Sequence, residues 1–75
     1  FTNELAIGFS TFASGDVVVE IRDLAGRLVE QTSLGDKEAG AHAIDLSSGN
    51  WDRGNYIYTV LFNGAVLHSG KLVKM

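Results

Sequence analysis

The chain has 75 residues, of which 45% are hydrophobic and 20% charged, and it contains neither cysteine nor proline. A single domain of this length buries roughly 60% of the surface that its unfolded chain exposes, and the lack of cysteine excludes disulfides, thiolate metal sites and a cysteine nucleophile. The net charge is −3 and the six Lys and Arg residues form no cluster, which argues against binding of nucleic acid through its phosphates.

Alternation of apolar with small or polar residues predicts strands in the first half of the chain. The predicted strands cover residues 5–9, 17–22 and 27–34. A turn is expected at 14–16 and a charged loop at 35–40. The connection at 23–27 is short, and Gly26 within it is free to adopt a positive φ.

The second half of the chain predicts three further strands. They cover residues 40–46, 56–62 and 66–74, with a polar loop at 47–53 that contains Trp51. The strand at 56–62 is apolar on both faces, which favours a central position in a sheet. Asn63-Gly64 predicts a type I′ hairpin turn, and Gly70 indicates a bulge or a close approach of another group.

The pattern as a whole predicts an all-β protein. A helix over 18–34 is disfavoured, because β-branched residues crowd its start and Gly26 splits it. Six or seven short strands separated by glycine-containing turns predict a small Ig-like antiparallel β-sandwich. Residues 1–75 are expected to be one domain excised from a longer protein, since the chain begins at Phe1 without an initiator Met.

The residues that carry out catalysis or bind metals are too dispersed to predict a site. His42 shares a face with Ile44 and Leu46 and is expected to pack in the sheet, while His68 has no nearby carboxylate to orient it. The serines lie outside any nucleophile elbow, and the aspartates form no calcium-binding loop. We therefore expect no enzymatic activity, no metal and no cofactor.

Three aromatic residues leave a carbohydrate-binding alternative open. Trp51, Tyr56 and Tyr58 could form a stacking platform for a sugar. In the other interpretation the two tyrosines belong to the core, and Trp51 folds back as a lid over an open end of the sandwich.

The order of the motifs resembles a known family. The first half contains an Ile-x-Phe strand at 7–9, Ser-Gly-Asp-Val at 14–17, a Val-x-Ile strand at 19–21 and Asp-Leu-Ala-Gly-Arg at 23–27. The second half contains Gly-x-His-x-Ile at 40–44, Gly-Asn-Tyr at 54–56 and Lys-Leu-Val-Lys-Met at 71–75. Together they resemble the type A C-terminal sorting domain of proteins that bacteria export by the type IX secretion system. The resemblance covers about residues 5–75.

The resemblance implies that the domain is a signal and not a catalyst. The parent protein would reach the periplasm, where this C-terminal domain directs it through the outer-membrane type IX translocon. A sortase-like surface protease would then remove the domain and attach the parent protein to the cell surface. The expected partners are therefore the translocon and this protease.

The resemblance also assigns recognition residues. They are Gly26, Arg27, Gly54, Tyr56, Lys71, Leu72, Val73 and Lys74. The two glycines would supply backbone freedom, the tyrosine would anchor the central strand, and the two lysines would present charge along the last hairpin. An equally simple interpretation is that these lysines protect an exposed edge strand from aggregation.

Three further alternatives remain at this point. The chain could be a carbohydrate-binding or spacer Ig-like module of a surface enzyme, or a structural domain similar to those of flagellar hook-cap proteins. The open edges of so small a sandwich also allow a homodimer formed by edge-strand pairing or strand exchange.

Overall fold

The computed structural model describes residues 4–47 and 51–75. The described residues form six strands: β1 (Glu4–Thr11), β2 (Gly15–Asp23), β3 (Leu28–Lys37), β4 (Gly40–Ser47), β5 (Gly54–Phe62) and β6 (Ala65–Lys74). No helix in this part of the chain is long and apolar enough to cross a membrane. The prediction of an all-β fold is confirmed.

The six strands form two antiparallel sheets. One sheet consists of β1 and β4, and the other has the strand order β3-β2-β5-β6. The central position predicted for 56–62 is confirmed, because β5 lies between β2 and β6. The outermost strands of the larger sheet are β3 and β6.

The core lies between the two sheets and follows from the alternation within each strand. In β2, Val17, Val19 and Ile21 are almost fully buried. They pack in one cluster with apolar side chains of β1, β4 and β5, namely Ile7, Phe9, Ile44, Leu46, Tyr56 and Val60. A two-sided core of this kind confirms the small Ig-like sandwich.

Two of the predicted connections are wrong in their bounds. Strand β2 already begins at Gly15, so the turn before it lies at 12–14. Strand β3 continues through Asp36 and Lys37, which pair with Asp16 and Gly15. Because β3 is an edge strand with a solvent-facing side, charged residues can continue it, and only 38–39 remain outside the strands. Of the predicted polar loop, 48–50 lie outside the described residues.

The hairpin between β5 and β6 confirms the predicted turn. Asn63 and Gly64 have φ angles of 50° and 84°, as a type I′ turn requires. The ladder between β5 and β6 is irregular at one point. Val60 pairs with His68, but the next residue, Leu61, pairs with Val66, so Leu67 has no partner. The bulge in β6 is therefore at Leu67, while Gly70 marks a close approach of Tyr58.

Candidate recognition surface

The pairing of the strands brings three separate motifs to one end of the larger sheet. Asp23 at the end of β2 pairs with Tyr56 of β5, which pairs in turn with Leu72 of β6. Gly54 pairs with Lys74 in the same ladder. We call this end of the sheet, formed by residues 22–28, 51–57 and 71–74, the motif end. All eight recognition residues expected from the sequence lie there, although they are up to 48 positions apart.

A hydrogen-bonded turn organises the first of these motifs. One oxygen of the Asp23 carboxylate accepts hydrogen bonds from the backbone N–H groups of Ala25 and Arg27, and the other accepts one from Arg27 Nε. The Gly26 N–H donates to the Asp23 carbonyl, and Arg22 Nη1 donates to the Gly26 carbonyl. With φ at 89°, Gly26 adopts a conformation that other residues rarely reach. The turn thereby fixes the backbone next to the exposed Arg27.

The same hydrogen bonds favour the charged form of Asp23. The pKa of this carboxyl is lowered, chiefly by the backbone hydrogen bond from Arg27, against the smaller effect of desolvation and with help from the Arg27 side chain. The carboxylate and the guanidinium also form an ion pair at 3.0 Å. Asp23 thus stays ionised at neutral pH and holds Arg27 in place.

The second motif supports the base of the motif end. Tyr56 is buried, and its hydroxyl donates a hydrogen bond to the carbonyl of Asp52. Its ring lies 5.0 Å from that of Trp51, which is itself only 9% exposed. Gly54 begins β5 with φ at 148°, a value at which a side chain is strained. These contacts fold residues 51–53 back onto the sheet.

A cavity of about 300 Å³ lies between the first two motifs. Asp23 and Arg27 line one side, and residues 51–56 line the other. The exposed Arg53 has no hydrogen bond or ion pair to another described residue. The motif end therefore presents arginine side chains from both motifs around one depression.

The third motif differs from the expectation in one respect. Lys71 is exposed, as predicted, and Leu72 packs against the core. Lys74, by contrast, is only 7% exposed, so the expectation that it presents its charge along the hairpin is wrong. It lies opposite Gly54 at the end of the ladder between β5 and β6, where its aliphatic stem is covered.

The aromatic residues do not form an exposed platform. Trp51 and Tyr56 are buried and Tyr58 is half-buried, so the lid interpretation of Trp51 is confirmed. Tyr58 instead shares a hydrogen bond of 2.9 Å with His68 Nε2. The rings of Trp51 and Tyr56 are therefore not available for a sugar to stack on.

Neither histidine takes part in a metal or catalytic arrangement that the structure describes. His42 Nε2 lies 2.6 Å from the Glu38 carbonyl, and its ring contacts Phe9. In residues 4–47 and 51–75, no three His, Asp or Glu side chains are placed to hold a metal ion. The predicted packing role of His42 is confirmed.

Asp23 was not among the expected recognition residues, yet it organises the turn. Its position four residues before Arg27 is the signal in the sequence, because an Asp at the start of a short turn commonly bonds to backbone N–H groups ahead of it. The covering of Tyr56 by Trp51 had no comparable local signal.

Comparison with known proteins gives one match. A family model described as the secretion system C-terminal sorting domain matches residues 1–75. Neither the comparison with curated proteins nor that with solved structures returned a match.

Proposed function

Because the chain belongs to the family of secretion-system C-terminal sorting domains, a family of type IX export signals and not of enzymes, we propose that its motif end is the surface that the type IX translocon reads. The observation that carries the proposal is the convergence of the three motifs on one end of a single sheet. A receptor that contacts this end would touch all of them at once.

Two exposed cationic side chains of the motif end are the ones that we expect the translocon to contact. Arg27 is exposed and held in position by Asp23. Lys71 is exposed on the edge strand β6 and has no ion pair with any described residue. The other members of the set have supporting roles: Tyr56 and Leu72 anchor the strands, Gly26 and Gly54 allow the turns, and Val73 and Lys74 complete β6.

The remaining steps of the export route belong to the same proposal. The domain would form the C-terminal part of a longer secreted protein and would fold in the periplasm before the parent protein crosses the outer membrane. A sortase-like surface protease would then remove it, and the parent protein would be secreted or attached to the cell surface. The partners of the domain are thus the translocon and the protease.

The test uses a periplasm-directed reporter fused to the chain in a type IX-secreting bacterium. The double variant Arg27→Glu/Lys71→Glu should leave the reporter in the periplasm, because two charges on the proposed surface are reversed. Lys37→Glu is the matched control, since Lys37 pairs with Gly15 at the opposite end of the sheet, and it should be exported normally. Circular dichroism of the purified domains establishes that all variants fold.

Normal export of a folded Arg27→Glu/Lys71→Glu fusion would refute the motif end as the surface that is read. Cleavage is followed separately, by N-terminal sequencing of the domain released into the medium. Exported fusions that keep the domain attached would refute the proposed removal step without affecting the recognition step.

A further inference from the structure

The larger sheet has an uncovered face opposite the core. On β2, residues 16, 18, 20 and 22 alternate with the buried Val17, Val19 and Ile21 and therefore point away from the smaller sheet. Their cross-strand partners on β3, β5 and β6 point the same way. We call this surface the outer face. In the described part of the chain, no other strand lies on it.

The outer face is more apolar than a solvated sheet requires. Val18 pairs with Leu61, which pairs with Val66, and this apolar row crosses three strands. Ile57 and Val73 add further apolar area nearer the motif end. Val66 is 68% exposed and Val73 is 48% exposed. Contiguous apolar side chains on an exposed sheet face are typical of an interaction surface.

The charges on the outer face are separated by sign. At the other end of the sheet, beside the Asn63-Gly64 turn and called the hairpin end below, Asp16 lies directly opposite Asp36. Such a pair of like charges destabilises a sheet. At the motif end Arg22 and Lys71 flank Ile57. Six residues along β2 separate the two ends by about 20 Å.

The carboxylates at the hairpin end are not neutralised by an ion pair within the part of the chain that the structure describes. Neither Asp16 nor Asp36 makes an ion pair with a described residue, and neither does Lys71. Glu20, near the middle of the face, lies 3.6 Å from Arg22 and accepts a hydrogen bond from Gln31. The two ends therefore remain complementary to each other.

We propose that the outer face binds a second copy of this chain, with the two sheets face to face and turned so that Lys71 on β6 of each copy lies over Asp16 on β2 of the other. The acidic end of each copy then lies over the basic end of the other, and the apolar rows meet between them. A two-fold axis in the plane of the interface generates both charge contacts from one surface, as an isologous interface requires.

The size of the face determines how strong the dimer is. Four strands about 4.8 Å apart and about 20 Å long give roughly 400 Å² per copy. Roughly 800 Å² in total lies below the range of stable interfaces. The dimer is therefore transient, and salt weakens it because its charges lie at the rim.

The test is sedimentation of the 75-residue chain over a range of concentrations at low ionic strength. Wild type should associate, and Lys71→Glu or Asp16→Lys should each weaken self-association at least tenfold. In each single variant the two residues that face each other in the dimer carry charges of the same sign and repel. An equimolar mixture of the two variants should associate as well as wild type, because each such residue then faces the opposite charge. The double variant Asp16→Lys/Lys71→Glu should also associate as well as wild type, because positions 16 and 71 again carry opposite charges.

The controls separate this dimer from other modes of association. Glu4→Lys makes the same charge change as Asp16→Lys on the smaller sheet and should leave association unchanged. Asp16 lies on the central strand β2, so pairing through the edge of β6 would not respond to its reversal. A monomeric wild type, an Asp16→Lys variant that associates normally, or a mixture that stays monomeric would each overturn the proposal.

The proposal shares Lys71 with translocon recognition, but variants at other positions test the two separately. Arg27→Glu is expected to impair export while leaving self-association unchanged, whereas Asp16→Lys is expected to do the reverse. Failure of one proposal therefore leaves the other standing.

Discussion

Gly70 of β6 lies directly opposite Tyr58 of β5, and the ring of the tyrosine occupies the space that a side chain at position 70 would need. A Cβ built on Gly70 would lie 2.5 Å from a ring carbon of Tyr58. The ring reaches over the glycine to the hydrogen bond between its hydroxyl and His68. One small residue thus allows the aromatic contact that joins the two strands of the last hairpin.

Replacement of Gly70 by alanine should displace this ring. We expect Gly70→Ala to lower the free energy of unfolding by about 1–3 kcal/mol, as overpacking does elsewhere. Gly8→Ala is the control, because the nearest atom to its Cβ is the His42 carbonyl oxygen at 3.9 Å. It should be neutral or stabilising by about 0.4–1 kcal/mol. Urea unfolding followed by the fluorescence of the single tryptophan measures both, and equal effects would contradict the close-approach interpretation.

The turn at 23–27 makes stability depend on pH. Hydrogen bonds from Arg27 and Ala25 lower the folded-state pKa of Asp23 below its ordinary value of 3.8. The ionised carboxylate therefore stabilises the fold above about pH 3.8, and this contribution is lost as the pH falls through the lower folded-state pKa.

Asp23→Asn removes this titration but keeps an oxygen that can accept the backbone hydrogen bonds. We expect wild type to be more stable than Asp23→Asn at pH 7, with a difference that disappears in acid. Asp45→Asn is the control, because the Asp45 side chain is exposed and has no hydrogen bond or ion pair with a described residue. Urea unfolding at a series of pH values gives the comparison, and a constant difference across the series would contradict it.

The two lysines of β6 should behave differently when their charge is reversed. Lys74 is 7% exposed, so Lys74→Glu buries a carboxylate and should destabilise the domain by about 2–4 kcal/mol. Lys71 is exposed, and Lys71→Glu should change stability by no more than about 0.5 kcal/mol.

Methionine variants at the same two positions separate an effect on folding from an effect on recognition. Lys74→Met keeps an apolar stem at the buried position and should be more stable and better exported than Lys74→Glu, whereas Lys71→Met should fold normally and be exported poorly. Thermal unfolding and the reporter fusion provide the two readouts. Poor export of a stable Lys74→Met domain would show that the translocon recognises the Lys74 ammonium group itself.

Local patterns were sufficient to predict most of the strands and the hairpin at Asn63 and Gly64. Alternation places one face of β2 in the core regardless of what covers it, and the Asn-Gly pair favours positive φ at both positions. These features depend on residues that are close in the sequence.

The features that depend on strand pairing could not be predicted in the same way. The continuation of β3 through Asp36 follows from its ladder with β2, and the burial of Lys74 depends on how the end of β6 packs in the folded sandwich. The motif end likewise exists only because the registers of two ladders align Asp23, Tyr56 and Leu72. Pairing between distant segments is not encoded in any one of them.

Trp51 tests the carbohydrate alternative directly. Because its ring is buried against Tyr56, Trp51→Ala should destabilise the domain by about 3–5 kcal/mol. Wild type should bind no polysaccharide in a pull-down assay, so the substitution should change stability only. Retention of the wild-type domain on a polysaccharide, lost in a Trp51→Phe variant that still folds, would favour the carbohydrate-binding module instead.

The hydroxyl of Tyr56 should contribute separately from its ring. Tyr56→Phe leaves the Asp52 carbonyl without its hydrogen bond, which should cost about 1 kcal/mol because the contact is partly buried. Residues 51–53 would then be held less firmly to β5, and the emission of Trp51 should shift to longer wavelength as water reaches the ring. Tyr58→Phe is the matched control, since it removes only the exposed hydrogen bond to His68 and should leave the emission unchanged. Urea unfolding and emission spectra distinguish the two variants, and an unshifted spectrum for Tyr56→Phe would mean that ring packing alone holds Trp51 over the motif end.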